Sequence, residues 1–149
     1  MWWTLWMADQ RMTESERQEF LAGLHVGVLG IERADGSPLV LPVWYSYEPG
    51  GEVVVLTSAS SVKGRLAAAA GRASLCAQQE ELPYKYVSVE GSLEIDTLDA
   101  DAHVAVEPMA IRYLGEELGR AYAAGSDTTD EIRIRICPER WFSVDYAKS

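Results

Sequence analysis

Residues 131–138, EIRIRICP, place an isoleucine at every second position, with arginine or cysteine between. On a helix those isoleucines would scatter around the surface, but on a strand Ile132, Ile134 and Ile136 share one face. Arg133 and Arg135 then point the other way. A run like this commits its part of the chain to a sheet with one buried side.

The same period of two recurs upstream. HVGVLGIERADGSPLVLPVWYSY reads as two strands joined at Ala34-Asp35-Gly36-Ser37, since Asp-Gly accepts the positive φ of a tight hairpin. EPGG at 48–51 makes the next turn and EVVVLT the third strand, so the start of the sheet reads as a meander. ASLCAQQE and YKYVSVEGSLEI give strands four and five, and EIRIRICP the sixth. In the tail ERWFSVDYAKS, Trp141, Phe142 and Tyr146 form a short aromatic piece of their own.

Three stretches follow the helical period instead. MTESERQEFLAGL opens on a capping box, Thr13 with Glu16 three residues on. VKGRLAAAAG is rich in alanine and ends on Gly71. Residues 99–122 are helical, with a bend or split expected at Pro108. Six strands in hairpin order with a helix after the third predict a mainly β fold of α+β type, a six-stranded antiparallel barrel with peripheral helices. An open α+β sandwich is the alternative.

With 149 residues and no repeat or linker, the sequence reads as one domain over 1–149, residues 1–12 being an N-terminal extension or a mis-assigned start. The apolar run in MWWTLWMADQRM is too short to span a membrane and lacks the marks of a signal peptide. Either translation begins at Met7 or Met12, or the tryptophans form an arm that packs on a partner subunit. Charge narrows the partners. Thirteen Lys plus Arg against 23 Asp plus Glu give a net charge of −10, which argues against nucleic acid and anionic membranes. Cys76 and Cys137 are too few and too far apart for a disulfide framework and read as half-buried thiols in a reducing cytoplasm. His25 and His103 have no second ligand at metal spacing, and His103 with Glu107 reads as a surface pair, so no metal site is expected.

Against that acidic background LTSASSVKGRL, residues 56–66, stands out. A strand ends, hydroxyl residues follow, and a helix begins near Ser61 or Val62. The first turn of a helix presents unpaired N–H groups and the positive end of the dipole. Thr57, Ser58 and Ser61 can donate to phosphate oxygens and Lys63 adds a point charge, while Arg65 falls on another part of the helix surface. The plainer reading is that Ser61 is an N-cap and the two cations are solvated. No Walker loop or dinucleotide fingerprint occurs elsewhere.

The ordered set PLVLPVWYSY, a glycine turn, EVVVLTSASSVKGRL, ASLCAQQ and PYKYVSVEGSLE resembles the pyridoxamine 5′-phosphate oxidase-like family. The resemblance covers about Gly23 to Ile95 and, less tightly, IRIRICPERWFSVDY. It implies a split β-barrel that binds flavin mononucleotide (FMN) or the deazaflavin coenzyme F420. It also implies that Thr57 and Lys63 hold the cofactor phosphate, with Ser58 and Ser61 between them. Val62 stands where the oxidase proper carries arginine, and the PVWY and YVSVEG strands look more like the deazaflavin-dependent branch, which gives F420 the slight preference. True pyridoxamine phosphate oxidation is not expected.

The family further implies a cytoplasmic homodimer with the cofactor at the subunit interface. Pro42, Trp44, Arg65 and Tyr86 complete the candidate cofactor residues, and Trp44, Tyr45, Tyr84, Tyr86 and Trp141 are available to wall the groove or seal the dimer. The implied activity is hydride transfer between F420 or FMN and a small planar or conjugated organic substrate. In that chemistry the cofactor performs the step and the protein orients it. No Ser-His-Asp or Cys-His arrangement is visible, the catalytic residues are unassigned, and Tyr86, Tyr45 or water can supply a proton. A carrier or sensor that binds a flavin or haem without turnover is the alternative.

Overall fold

The computed structural model describes residues 10–148, so the tryptophan-rich opening, residues 1–9, lies outside the described residues. Helix α1 (Glu14–Ala22) starts on the capping box that the sequence predicts. Strands β1 (Gly27–Ile31), β2 (Leu39–Val43) and β3 (Val53–Ser58) precede α2 (Val62–Ala70). After it come β4 (Arg72–Gln79), β5 (Lys85–Thr97), α3 (Ala102–Leu114), α4 (Glu116–Gly125) and β6 (Glu131–Asp145).

All six strands form one antiparallel sheet in the order β2-β1-β4-β5-β6-β3. The meander therefore ends after two strands. β3 crosses to the far edge and pairs with β6, and α2 carries the chain back to β4. Two hydrogen bonds between Ser46, just past β2, and Val54 of β3 tie the two edges together. That bridge curls the sheet into a split barrel.

β5 and β6 are long enough to serve both halves. The first half of β5 pairs with β4, and the first half of β6 pairs with β3. A bulge lies between Glu90 and Gly91, where the β6 register steps from Arg140 to Pro138. Inward positions alternate as the period of two requires: Val53 and Val55, Leu75 and Ala77, Val87 and Val89, Ile134 and Ile136 are all buried. Each large one contributes roughly 1.5–3 kcal/mol by leaving water. Outward Arg133 and Arg135 are only half-buried, as the alternation predicts.

Four expectations need correction. The connection between β1 and β2 is no tight Asp-Gly hairpin: residues 32–38 join Ile31 to Leu39, and Asp35 and Gly36 stay at negative φ because the longer loop needs no left-handed residue. The helical region passes straight through Pro108 and breaks at Gly115, whose φ of 84° an L side chain rarely adopts. Proline removes one helical hydrogen bond, to the carbonyl of Val104, but Val104 is exposed and solvent can serve that group. The aromatic tail is no separate piece, because Trp141 and Phe142 extend β6 and only Tyr146 lies beyond it. Trp141 packs edge-on to Tyr47, 6.1 Å between ring centroids, with the Arg17 guanidinium 4.9 Å above it. Tyr45, a candidate for the groove, is instead fully buried and donates its hydroxyl proton to the Leu21 carbonyl at 2.7 Å.

The α1 cap makes a testable pH prediction. The Lys148 ammonium, 2.6 Å from Glu16, and then the hydrogen bonds from Thr13 hold the Glu16 carboxyl down at about 2. A depressed carboxyl stabilises the fold above its unfolded value of 4.5 and loses that contribution as pH falls toward 2. Glu16→Gln should therefore lower the denaturation midpoint near neutral pH and differ less from the wild type near the bottom of that window. A gap that stays constant with pH would rule out the titration.

Candidate functional site

Where β2 ends, the chain turns away from β1 and presents Trp44 over the sheet edge. Its indole lies flat on the Tyr113 ring, 5.1 Å between centroids at 4°, and meets Tyr122 of α4 at 5.4 Å and 54°. Tyr113 is fixed in turn. Its hydroxyl donates to the His25 carbonyl at 2.7 Å and accepts the Tyr45 N–H at 3.0 Å, with the Tyr45 carbonyl also 3.0 Å away. Trp44 thus stands on a support bonded to the backbone on two sides.

Beside it opens a cleft of about 360 Å³. It is lined by Pro42 and Trp44 at the end of β2, Leu56 of β3, Val106 and Met109 of α3 and Tyr122 of α4. Lys63, in the first turn of α2, and Glu131, the first residue of β6, are its two charged groups. Burial pushes the Glu131 carboxyl up, the Lys63 charge pulls it back, and Asp130 and Asp127 push it up again. The lining mixes apolar side chains with these two charged groups, which lie near enough for the Lys63 charge to act on the Glu131 carboxyl and so make a polar end. That is the usual pattern of a small-molecule site.

The hydroxyl cluster of 57–61 is used internally. The Ser61 hydroxyl accepts the Gly64 N–H at 3.0 Å, as an N-cap should, and donates to the Ser58 carbonyl at 2.7 Å. Its remaining contact, Thr57 at 3.0 Å, must therefore be a bond that Thr57 donates. Ser58 donates to the Asp130 carboxylate at 2.8 Å and the Ser60 N–H reaches the same oxygen at 2.9 Å. Hydrogen bonding from the Ser60 side chain first, then from the Ser58 hydroxyl and the Ser60 N–H, holds the Asp130 carboxyl below its ordinary range.

Other donors remain at the head of α2. Among the described residues, the backbone N–H groups of Val62 and Lys63 have no acceptor. Together with the Lys63 ammonium they are the donors a phosphate would meet. Gly64 lets the loop close onto the helix, since a Cβ there would lie 2.4 Å from the Ser58 carbonyl. This set fits one phosphate group at the polar end of a cleft whose other walls fit an aromatic ring.

Of the predicted residues, the structure brings Pro42, Trp44 and Lys63 into one cleft, with Thr57, Ser58 and Ser61 in the loop beneath its polar end. Arg65 is exposed on another face with Arg33 and Asp35. Tyr86 points outward from β5 opposite Gln78, half-buried, with its phenol pushed up by burial and by Tyr146 and Cys76 nearby. Both cysteines are free and half-buried. His103 and Glu107 form a surface pair at 3.8 Å. Glu52, Glu94 and Cys137 cluster closely enough to ligate an ion, but Arg135 already pairs with both carboxylates.

Sequence reasoning missed Tyr113, Tyr122, Met109, Glu131 and Asp130. A glycine in the first turn of a predicted helix was the one available signal for the tight loop. Nothing local marks the others.

No family model matches the sequence, and no curated protein matches it. Solved structures do. A conserved hypothetical protein of Mycobacterium tuberculosis superposes with a TM-score of 0.77 at 25% identity, over 93% of this chain and 88% of the other. An F420 reductase gives 0.71 at 21% identity, over 84% and 94%. A Listeria innocua protein, provisionally assigned as a pyridoxamine 5′-phosphate oxidase, gives 0.67 at 13%, over 87% and 96%. The chain has the split β-barrel fold of the pyridoxamine 5′-phosphate oxidase-like proteins.

Proposed function

We propose that this protein is an oxidoreductase that passes a hydride between coenzyme F420, in preference to FMN, and a small planar or conjugated organic molecule. The observation that carries the reading is the cleft itself, with Trp44, Tyr122, Val106 and Met109 to take a ring and Lys63, in the first turn of α2, to take a phosphate. Similarity in fold to an F420 reductase supports a flavin-type ring. Such a cofactor, when bound, supplies the hydride chemistry.

The residues of this chain do the rest. Trp44, braced by Tyr113, sets the plane of the ring, while Val106 and Met109 exclude water from that face. Lys63 neutralises the phosphate. Glu131 holds its proton more tightly than an ordinary carboxyl, which suits it to deliver one at Oε within the cleft.

The reading includes a homodimer with the cofactor at the subunit interface. On the outward face of the sheet, Pro42, Val28, Cys76, Ser88 and Phe142 line up in register across five strands. Val28 is 38% and Phe142 53% exposed, and this largely apolar row supports burial against a second copy. No helix of the described residues is long and apolar enough to cross a membrane. We place the reaction in the cytoplasm, where the free thiols Cys76 and Cys137 stay reduced.

Titrating the stripped protein in parallel with FMN and oxidised F420, followed by fluorescence, tests the proposal. Lys63→Ala should weaken binding of the preferred cofactor by roughly tenfold to a hundredfold. Binding of neither cofactor would remove the oxidoreductase reading. Binding without consumption of reduced cofactor in the presence of an artificial acceptor would make the protein a carrier.

A further inference from the structure

On the other side of Leu56 and Met109 lies a second cavity, also of about 360 Å³. Its apolar surface comes from Val54 and Leu56 of β3 and from Ala105, Pro108 and Met109 of α3. Its polar surface is Ser46 and two arginines, Arg112 and Arg133. In a chain of net charge −10, two cations on one apolar cavity need an explanation.

Among the described residues, neither arginine pairs with a carboxylate. Arg112 reaches the carbonyls of Ala22 and Gly23, at 3.1 and 2.7 Å, through Nη2 alone. Its Nε is buried without a partner, and among the described residues its Nη1 has none. Arg133 forms no hydrogen bond or ion pair among the described residues. Arg135, two residues along the same strand face, is paired with Glu52, Glu94 and Asp96 at 3.1, 2.8 and 2.8 Å. Asp96 is the direct cross-strand neighbour of Arg133, yet its carboxylate is bound by Arg135. The cross-strand acid that would neutralise Arg133 is thereby taken.

We infer that this second cavity binds an organic carboxylate, with Arg112 and Arg133 on the acid group and the body of the ligand along Val54, Leu56 and Met109. The unpaired Arg133 guanidinium suits a carboxylate because its paired N–H groups match both oxygens, and Arg112 adds Nη1 and its charge. The apolar surface selects for a hydrocarbon or aromatic body over a bare inorganic anion. Leu56 and Met109 also line the Trp44 cleft, so the ligand would lie next to whatever occupies that cleft. The carboxylate can belong to a substrate or to the tail of a cofactor.

The test uses 4-phenylbutyrate and its neutral amide, titrated calorimetrically into the full chain without any cofactor. The acid should bind more tightly than the amide. Arg133→Gln should weaken the acid by roughly tenfold to a hundredfold and leave the amide and the melting temperature unchanged. Equal binding of acid and amide, an acid affinity indifferent to Arg133→Gln, or no binding of either probe would each overturn the site. Repeating the titration with saturating F420 separates the two sources. Displacement of the acid assigns the arginines to the cofactor tail, and undiminished binding assigns them to a second molecule. Because binding is read without the cofactor, failure of the ring-binding proposal and failure of this one are distinguishable.

Discussion

Replacing Gly91 with alanine should cost most of the stability of the protein. A Cβ at this position would lie 1.7 Å from the Cys137 carbonyl oxygen, 2.8 Å from the Cys137 carbonyl carbon and 3.3 Å from the Glu139 nitrogen. All three are backbone atoms, so no side chain can swing aside. The position is the bulge where β5 and β6 change register, in the middle of the longest pairing of the sheet. Such a bulge is a built feature that bends two long strands from one half of the barrel into the other. Seating a methyl group there means separating those strands, and we expect a loss above about 4 kcal/mol, where folded domains have only about 5–15 kcal/mol in all. Soluble yield and chemical denaturation of Gly91→Ala read the effect. A cooperative transition at the wild-type midpoint would show that the bulge relaxes freely and that the contact is not needed.

Gly119→Ala should act on the site instead of the barrel. A Cβ on Gly119 would lie 2.5 Å from the Ile111 Cα and 2.6 Å from the Ile111 nitrogen, so α4 packs directly on the α3 backbone. A methyl group must push the helices apart, at a cost of about 1–3 kcal/mol for an overpacked contact. Tyr122 sits one turn further along α4 and touches Trp44, so the displacement opens the aromatic side of the cleft. If the cleft holds the ring as proposed, affinity for FMN or F420 should fall by about tenfold or more while the sheet still melts cooperatively. Reduced stability with unchanged affinity would take α4 out of the ring-binding wall. Measured beside Lys63→Ala, this variant also separates the two ends of the cleft, one reading the ring and the other the phosphate.

Much of the candidate site was legible in LTSASSVKGRL, but not all of it correctly partitioned. The segment does end a strand and start a helix, and Ser61 does cap it. What could not be read is that Asp130 reaches across 72 positions to take the Ser58 hydroxyl and the Ser60 N–H. Hydroxyl residues at a helix start advertise donors without saying which acceptor wins. Lys63 was found because a charge against the background is a local signal, and Trp44 because the PVWY strand carries the family resemblance. Tyr122 and Glu131 were missed because each is unremarkable in its own neighbourhood and matters only through what folds beside it.

The division follows the range of the forces involved. Strand positions, inward faces and the caps at Thr13, Ser61 and Gly71 depend on backbone preferences and side-chain periods that act between near neighbours. A chain carrying EIRIRICP has little choice about them. Which strands pair across the barrel is another matter, since ladder hydrogen bonds join backbone groups that are alike at every residue. Placing β3 beside β6 instead of β2 required the Ser46–Val54 closure and the α2 crossover, both settled only when the whole sheet curls. The helix likewise broke at Gly115 and not at Pro108, because contact with α4 and an exposed Val104 outweighed the local preference of proline. The cleft and the free arginine pair arise the same way, from segments far apart in sequence that the closed barrel brings into contact.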